Sequence, residues 1–188
     1  MIPGLSAAIE IGARVFLRRV NAADQSEFLV LMRASRRLHQ PWVTPPIAPG
    51  PFDAYLQRVE QDNAEGLLVC RREDGAIAGV INLNEIVRGA FQSAYLGYYA
   101  GAPFARNGYM TEGLQLVLRH AFTTMKLHRL EANIQPGNDA SMALVRRCGF
   151  RREGFSPRYL KIAGEWRDHE RWALLVEDWL SSPKAEGR

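Results

Sequence analysis

The fold of this chain is indicated by residues 93–122, SAYLGYYAGAPFARNGYMTEGLQLVLRHAF. Aromatic and small residues from Ser93 to Ala100 predict a β-strand. Apolar residues then recur at helical spacing from Met110 to Met125 and predict an amphipathic helix. Gly108 stands at the start of that helix, where unpaired backbone N–H groups and the positive end of the helix dipole favour an anion. The junction can therefore hold a phosphate, although an ordinary tight turn fits the spacing as well.

The chain before this junction begins with a predicted strand and a predicted helix. Arg14 to Val20 alternates as a strand does. Asp24 to Glu27 resembles a capping box at the start of a helix that ends at Pro41. The apolar residues at helical spacing are Phe28, Leu31, Met32 and Leu38. The five prolines between residues 41 and 51 predict a loop after this helix.

A second helix and a hairpin are predicted next. Phe52 to Glu65 predicts the helix, with Gly66 as the residue that ends it. Leu67 to Arg72 and Ala76 to Glu85 predict two paired strands, because the Asp74-Gly75 sequence between them favours a type I′ turn.

The residues after the junction predict a strand, a short helix and two long strands. Arg129 to Gln135 alternates polar and apolar residues. Asn138 can cap a helix that ends at Cys148. Residues Phe150 to Val176 predict two strands around Ala163-Gly164. The whole pattern predicts an α+β fold, a mixed layer with a central sheet rather than a regular βαβ repeat.

Length and composition limit the functional classes. The chain has 188 residues, which predicts one domain, residues 1–188, with a core from about 14 to 179. Its two cysteines stand in no metal-binding spacing, so we expect no metal site. No apolar run reaches about 18 residues and no basic segment precedes an apolar one at the start, which predicts a cytoplasmic protein without a membrane span. The formal net charge of +4 favours anionic partners, but no block of like charges indicates direct nucleic-acid binding.

Three blocks of the sequence resemble the GNAT acetyltransferases. Tyr95 to Tyr99 followed by Arg106 to Glu112 resembles the acetyl-CoA-binding motif of that family. The second block runs from Leu127 to Gly154 and the third from Tyr159 to His169. They are similar to the branch that contains the ribosomal-protein-alanine N-acetyltransferases, and the resemblance covers nearly the whole chain.

The resemblance implies a single GNAT-type domain and acetyl-CoA as co-substrate. Its sheet is mixed, mostly antiparallel, twisted and splayed in the middle, with helices on both faces. In this family the strand that carries Leu96, Gly97 and Tyr98 separates from its neighbour and offers backbone groups to the pantetheine arm. A loop then holds the pyrophosphate, and two residues at the start of the next helix face the arm near the sulfur. The corresponding residues here are Arg106, Asn107, Gly108, Tyr109, Met110, Asn138 and Ser141.

The phosphate loop departs from the family pattern, which usually reads Gln/Arg-Gly-x-Gly-x-Gly/Ala. This chain keeps Gly108 but has Ala105, Arg106 and Met110 at other positions of the loop. Arg106 either pairs with a phosphate or projects into solvent. Met110 is compatible with the motif if only its backbone N–H meets the pyrophosphate. Capping alone would also explain Asn138.

Two residues are candidates for catalysis by direct attack of an amine on the thioester. We expect Ser141 to protonate or hydrogen-bond the departing thiolate, since Val145 stands where many relatives have a tyrosine. Some relatives carry a carboxylate just before the Tyr-Leu pair, where this chain has Arg158. Glu85, at the end of the strand that precedes the splayed strand, is then the carboxylate that could accept the proton of the amine. A solvated acid at a strand end explains Glu85 equally well.

Other conspicuous residues have structural interpretations. Cys148 is expected to be a small buried residue rather than a nucleophile. His128 and His169 are expected to be packed or surface imidazoles. Glu112 lies in the first turn of the central helix, where an acid favours the dipole. Trp42 either shapes a substrate groove or fills the core.

Three functions are compatible with these features. The first is acetylation of the N-terminal α-amine of a protein, with a ribosomal protein as the acceptor that the branch suggests. The second is acetylation of a small amine, such as an antibiotic or a polyamine, although the basic charge disfavours polyamines. The third is an acyl-CoA-binding sensor with weak catalysis. The long C-terminal strands with an exposed edge are compatible with a homodimer.

Overall fold

One eight-stranded sheet organises the computed structural model, which describes residues 2–181. The strands are β1 (Glu10–Ile11), β2 (Val15–Arg19), β3 (Glu65–Arg71), β4 (Ile77–Val87), β5 (Ser93–Ala100), β6 (Arg129–Ile134), β7 (Arg151–Ile162) and β8 (Glu165–Leu175). They are ordered β1-β2-β3-β4-β5-β6-β8-β7. Neighbouring strands are antiparallel except for β5 and β6, which are parallel. The predicted mixed, mostly antiparallel sheet is confirmed.

Helices cover both faces of this sheet, as predicted. The helices are α1 (Gln25–Ala34), α2 (Arg36–His39), α3 (Pro49–Val59), α4 (Tyr109–Arg119), α5 (Asp139–Arg147) and α6 (Val176–Leu180). On one face, α4 and α5 bury a core that includes Leu114 and Val145. On the other face, α1 and α3 bury Phe28 and Phe52 against the sheet. None of the helices within residues 2–181 has the length and apolar run that would cross a bilayer.

The strands β5 and β6 pair only over their first four residues. The ladder runs from Ser93 opposite Arg129 to Leu96 opposite Ala132, whereas β5 continues to Ala100 and β6 continues beyond Ala132. Past Leu96 the two strands separate, so the backbone groups of β5 that face the opening are outside this ladder. The splayed sheet that the family resemblance implies is therefore present.

The prediction of one continuous first helix is wrong, because the helix is interrupted at Ser35. The Ser35 hydroxyl donates to the carbonyl of Leu31 over 2.7 Å and accepts the backbone N–H of Ala102 over 2.8 Å. This side chain links the helical segment to the loop after β5, and α1 and α2 are separate helices on either side of it. Leu38, predicted on the apolar face, is 43% exposed.

The predicted capping box at Asp24 is also wrong. The carboxylate of Asp24 is bound by Arg18 and by the backbone N–H of Asn21, in a capping box one turn earlier. Glu27 instead accepts the backbone N–H of Ile77 on β4. Asp24 thus pairs with Arg18, and Glu27 binds the start of β4. Both contacts are tertiary, so no local sequence pattern predicts them.

The second helix and the first hairpin differ from prediction at their ends. Helix α3 begins at Pro49, within the proline-rich segment, because proline is tolerated in a first helical turn. Gly66 does not end this helix but lies in β3, where a Cβ would be 2.7 Å from the Tyr55 hydroxyl. The hairpin turn spans residues 72–75, and Gly75 has a positive φ whereas Asp74 does not, so the turn is not type I′.

Three further elements were not anticipated from periodicity. Helix α4 ends at Arg119 and continues as a π-helical turn, His120–Thr124, within the segment predicted as one helix. Strand β1 has two residues and α6 has five, which is too short for a periodic signal. The two long C-terminal strands are confirmed as β7 and β8, and β7 is the outer strand of the sheet.

Glu112 ties the start of α4 to the turn before β2. Its carboxylate accepts the backbone N–H groups of Arg14 and Val15 over 2.7 and 3.2 Å and the Arg14 Nε over 3.0 Å. Partial burial alone would raise the pKa of Glu112, but these hydrogen bonds more than offset it and lower that pKa. The residue therefore anchors the helix as well as complementing its dipole.

We expect Glu112→Gln to lower the free energy of unfolding by about 1–2 kcal/mol at pH 7. Because the pKa is lowered in the folded state, the stabilisation is present above the unfolded pKa of about 4.3 and is lost as the pH falls through the folded value. Urea unfolding at pH 7 and pH 3 measures this, with the exposed Glu60→Gln as the control. An equal deficit for Glu112→Gln at both pH values would contradict the assignment.

Candidate active site

A cavity of about 1020 Å³ opens where β5 and β6 separate. Its walls come from the middle of the sheet, the starts of α4 and α5, helix α2 and the β7–β8 hairpin. The residues singled out from the sequence that line it are Glu85, Leu96, Gly97, Tyr98, Arg106, Gly108, Tyr109, Met110, Asn138 and Ser141. The structure thus brings together every predicted site residue except Asn107.

Asn107 is not among the residues that line the cavity, and its contacts lie within the loop and with Arg14. Its carbonyl accepts Nη1 of Arg14 over 3.0 Å, and its side-chain amide donates to the carbonyl of Ala105 over 3.3 Å. These contacts shape the turn before α4.

The loop before α4 presents backbone N–H groups to the cavity. Arg106 and Gly108 both have positive φ, 64° and 80°, and α4 begins directly after Gly108. The N–H of Glu112 is the first that bonds back within the helix, to the carbonyl of Gly108 over 3.1 Å. The preceding N–H groups of the first turn lack an intrahelical acceptor, and together with the helix dipole they form an anion-binding end.

The side chain of Met110 is directed into the protein rather than toward this loop. It packs against the core beneath α4 and sits over Gly79 of β4, at the place where a Cβ of residue 79 would be. This packing is compatible with the condition that only the backbone N–H of Met110 meets a ligand at the loop.

Ser141 and Tyr98 meet across the opening of the sheet. The side-chain oxygen of Asn138 accepts the backbone N–H of Ser141 over 3.2 Å, so Asn138 is the N-cap of α5. The Ser141 hydroxyl lies 2.6 Å from the Tyr98 hydroxyl. Burial raises the pKa of the Tyr98 phenol. The family motif implies a role only for the backbone of Tyr98, and no local pattern reveals this side-chain contact.

Glu85 lies at a β-bulge at the rim of the cavity. The register of β4 against β5 shifts between Asn84 and Val87, and Glu85 has a φ of 47°. A bulge re-aims a side chain, and a positive φ is uncommon for a residue with a Cβ. The Glu85 side chain is exposed to solvent and lines the cavity.

Two buried histidines line the cavity. The ring Nε2 of His39 on α2 lies 2.8 Å from the carbonyl of Ala100, and Nδ1 of His169 on β8 lies 2.9 Å from the carbonyl of Arg167. Burial lowers the pKa of both imidazoles, so both are neutral near pH 7. His128 is instead exposed and lies against a carboxylate of α6. Periodicity did not single out His39, because its position at the cavity depends on the break at residue 35.

The part of the cavity away from the α4 loop is aromatic and apolar. Trp42 belongs to this wall, and its carbonyl accepts the side-chain amide of Gln135 over 3.0 Å, which supports the groove interpretation of Trp42. The other aromatic and apolar side chains here are Leu38, Val43, Tyr95, Tyr159, Leu160 and Ile162. Among the lining residues that the structure describes, Glu85 is the only carboxylate, and the two arginines are Arg106 and Arg147.

Cys148 is buried, as predicted. It is 8% exposed at the end of α5, and its Sγ lies 3.9 Å from the carbonyl of Thr111. It is not among the residues that line the cavity. Within residues 2–181 no group of three or more His, Cys, Asp or Glu side chains is arranged to hold a metal ion.

Sequence comparison relates the chain to acetyltransferases. The family model described as an acetyltransferase (GNAT) domain matches residues 14–151. The chain is 37% identical over 124 residues to a probable N-acetyltransferase of Bacillus subtilis, YjcK, covering 66% of this chain and 68% of that protein. It is 41% identical over 107 residues to the ribosomal protein uS5-alanine N-acetyltransferase of Escherichia coli, covering 57% of this chain and 55% of that protein.

Solved structures agree with this assignment. Mycobacterium smegmatis RimJ in complex with CoA-disulfide matches with a TM-score of 0.84 and 27% identity, over 99% of this chain and 95% of that one. Spermidine N-acetyltransferase from Vibrio cholerae, in complex with CoA and spermine, shares the fold with a TM-score of 0.76 and 18% identity, over 90% and 100% of the two chains. The chain therefore belongs to the GNAT family of N-acetyltransferases, which use acetyl-CoA as their co-substrate.

Proposed function

We propose that this acetyltransferase acts on the N-terminal α-amine of a protein, with a ribosomal protein as the first candidate. The observation that carries the proposal is the charge of the acceptor end of the cavity. That end offers one carboxylate, Glu85, and two neutral imidazoles, His39 and His169. A protonated α-amine carries a single positive charge, and one carboxylate is enough to pair with it.

A polyamine fits this end of the cavity less well. Such a substrate carries several ammonium groups along its length, and each needs a carboxylate or a comparable acceptor when it leaves water. The aromatic wall around Trp42 and Tyr159 instead suits a short, uncharged segment of chain behind the amine. The similarity to the uS5-alanine N-acetyltransferase supports a protein N-terminus as well.

The proposal is tested by substrate preference. With acetyl-CoA and the purified protein, Ala-starting and Ser-starting peptides should be acetylated faster than spermine, spermidine or aminoglycosides at equal concentration. Thiol release, with mass spectrometry of the products, measures each rate and locates the acetyl group. Spermine turnover far above that of every peptide would assign a polyamine acceptor. Binding of acetyl-CoA without turnover of any of these amines would favour a sensor.

Acetyl-CoA is proposed to bind across the opening of the sheet. Leu96 is the last residue of β5 paired with β6, and the backbone from Gly97 onward lacks a neighbour there, so it can pair with the amide groups of the pantetheine arm. The pyrophosphate then lies on the N–H groups at the start of α4, next to Gly108. Arg106 is exposed and lines the same end of the cavity, where it can pair with a phosphate.

We expect Gly108→Val to weaken acetyl-CoA binding by about tenfold or more. A branched side chain at a φ of 80° is strained, and its Cβ would lie 3.1 Å from the Arg14 guanidinium, so the loop and the N–H groups proposed to hold the phosphate must shift. Isothermal calorimetry measures the dissociation constant. Gly89→Val is the matched control, because Gly89 also has a positive φ, 66°, and a Cβ there meets nothing within 4 Å. Wild-type affinity of Gly108→Val would remove the pyrophosphate from this loop.

The proposed reaction is a direct attack of the amine on the thioester within a ternary complex. Cys148 is buried away from the cavity, so no acyl-enzyme is invoked. Ser141, at the start of α5, is proposed to donate a hydrogen bond to the departing thiolate. Glu85 is proposed to take the proton of the ammonium, directly or through a water molecule, before the attack. An α-amine has a pKa of about 8, so only a modest base is needed to deprotonate it near neutral pH.

Glu85→Gln should lower the rate near neutral pH and recover toward the wild-type rate as the pH rises above about 8. The reason is that an enzyme without the base depends on the amine that is already neutral in solution. The measurement is the pH dependence of kcat/KM for a peptide acceptor. Glu60→Gln, at an exposed position on the surface, is the control. A variant profile parallel to that of the wild type would exclude Glu85 as the base and leave deprotonation to water.

A further inference from the structure

The contact between Tyr98 and Ser141 is fixed by the fold from both sides. Tyr98 lies on β5, where its backbone pairs with Ile81 of β4. Ser141 lies in the first turn of α5, where its backbone N–H is held by the N-cap Asn138. The two hydroxyl oxygens are 2.6 Å apart, so two independently placed elements meet at one short hydrogen bond.

Either hydroxyl can be the donor in this hydrogen bond, and acidity favours the phenol. A tyrosine hydroxyl, with an ordinary pKa of about 10, is a stronger acid than a serine hydroxyl, so the favoured arrangement has Tyr98 donating to Ser141. Burial raises the pKa of Tyr98, which keeps this hydroxyl protonated. The Ser141 oxygen is then occupied as an acceptor, and the proton of the serine is left to point elsewhere. Both side chains line the cavity.

We propose that Tyr98 is a positioning residue that acts through Ser141. Its hydrogen bond turns the Ser141 proton toward the sulfur of bound acetyl-CoA. This inference rests on the proposed function, in which the thioester sulfur lies beside Ser141. Tyr98 on β5 thereby places a phenol on the leaving-group side, whereas position 145 on α5 is a buried valine.

The charge that appears on sulfur is spread over two hydrogen bonds. The amine nitrogen bonds to the thioester carbon, the C–S bond breaks, and the electron pair remains on sulfur. Ser141 donates to that thiolate while Tyr98 donates to Ser141, and hydrogen bonds in such a chain strengthen one another. Tyr98 keeps its own proton throughout, and the proton lost by the nitrogen leaves to the base or to water.

A double-mutant cycle on Tyr98→Phe and Ser141→Ala tests the inference. Ser141→Ala should lower kcat by about 10–100-fold and Tyr98→Phe by about 5–10-fold, with the KM for acetyl-CoA nearly unchanged in both. The double variant should be no slower than Ser141→Ala, because Tyr98 then has no hydroxyl to act on. Tyr55→Phe is the matched control: its hydroxyl lies 2.8 Å from Asn82 Oδ1, outside the cavity, and its loss should leave kcat unchanged.

The outcomes separate this inference from the proposed function. The leaving-group side does not depend on the acceptor, so the cycle is measured with whichever amine the wild-type enzyme acetylates. A wild-type kcat for Tyr98→Phe, or two effects that multiply in the double variant, would overturn the positioning role alone. A wild-type kcat for Ser141→Ala would overturn both the serine role and the role of Tyr98. A preference for amines other than peptides would overturn the proposed acceptor and leave this inference standing.

Discussion

The opening between β5 and β6 is the constraint on which the rest of the site depends. A parallel pair needs a crossover connection, here α4, and that helix must begin near the end of β5. Because the ladder stops at Leu96, the free backbone of β5 and the N-terminal end of α4 face the same space. A buried backbone group without a partner costs about 1–3 kcal/mol, so this space favours a ligand that has both amide groups and phosphates.

Alternation along β5 divides the site between the two faces of the sheet. Leu96 and Tyr98 face α4 and α5, whereas Tyr99 packs with α1 and α3. The face of α5 carries Ser141, which is suited to the leaving thiolate in the proposed reaction. The cavity also reaches Glu85 and the buried histidines, which are suited to an amine. In the proposed reaction, the amine would approach the thioester from the side of Glu85 and the histidines, and Ser141 would contact the leaving sulfur from the side of α5.

The sequence predicts the elements that depend on local periodicity and misses those that depend on tertiary contacts. The strand and helix around Gly108 and the cap at Asn138 follow from short-range patterns, and the structure has them. The break at Ser35 could not be predicted, because it is made by a hydrogen bond to the loop after β5. The site residues were identified through the family resemblance, yet a motif gives no side-chain direction. For that reason the contact between the Tyr98 and Ser141 hydroxyls could not be predicted, and the cofactor role of Asn107, which does not line the cavity, stays a prediction.

Hydrogen–deuterium exchange with and without acetyl-CoA tests most directly whether this opening is where the cofactor binds. The labelling times should be seconds, because short times report the local protection of amides. Longer times also report the global stabilisation that any ligand produces. The account predicts slower exchange in residues 97–100 of β5 and residues 108–111 at the start of α4, with little change in β1 to β3. Unchanged exchange in both of those segments when the protein is saturated with acetyl-CoA would contradict it.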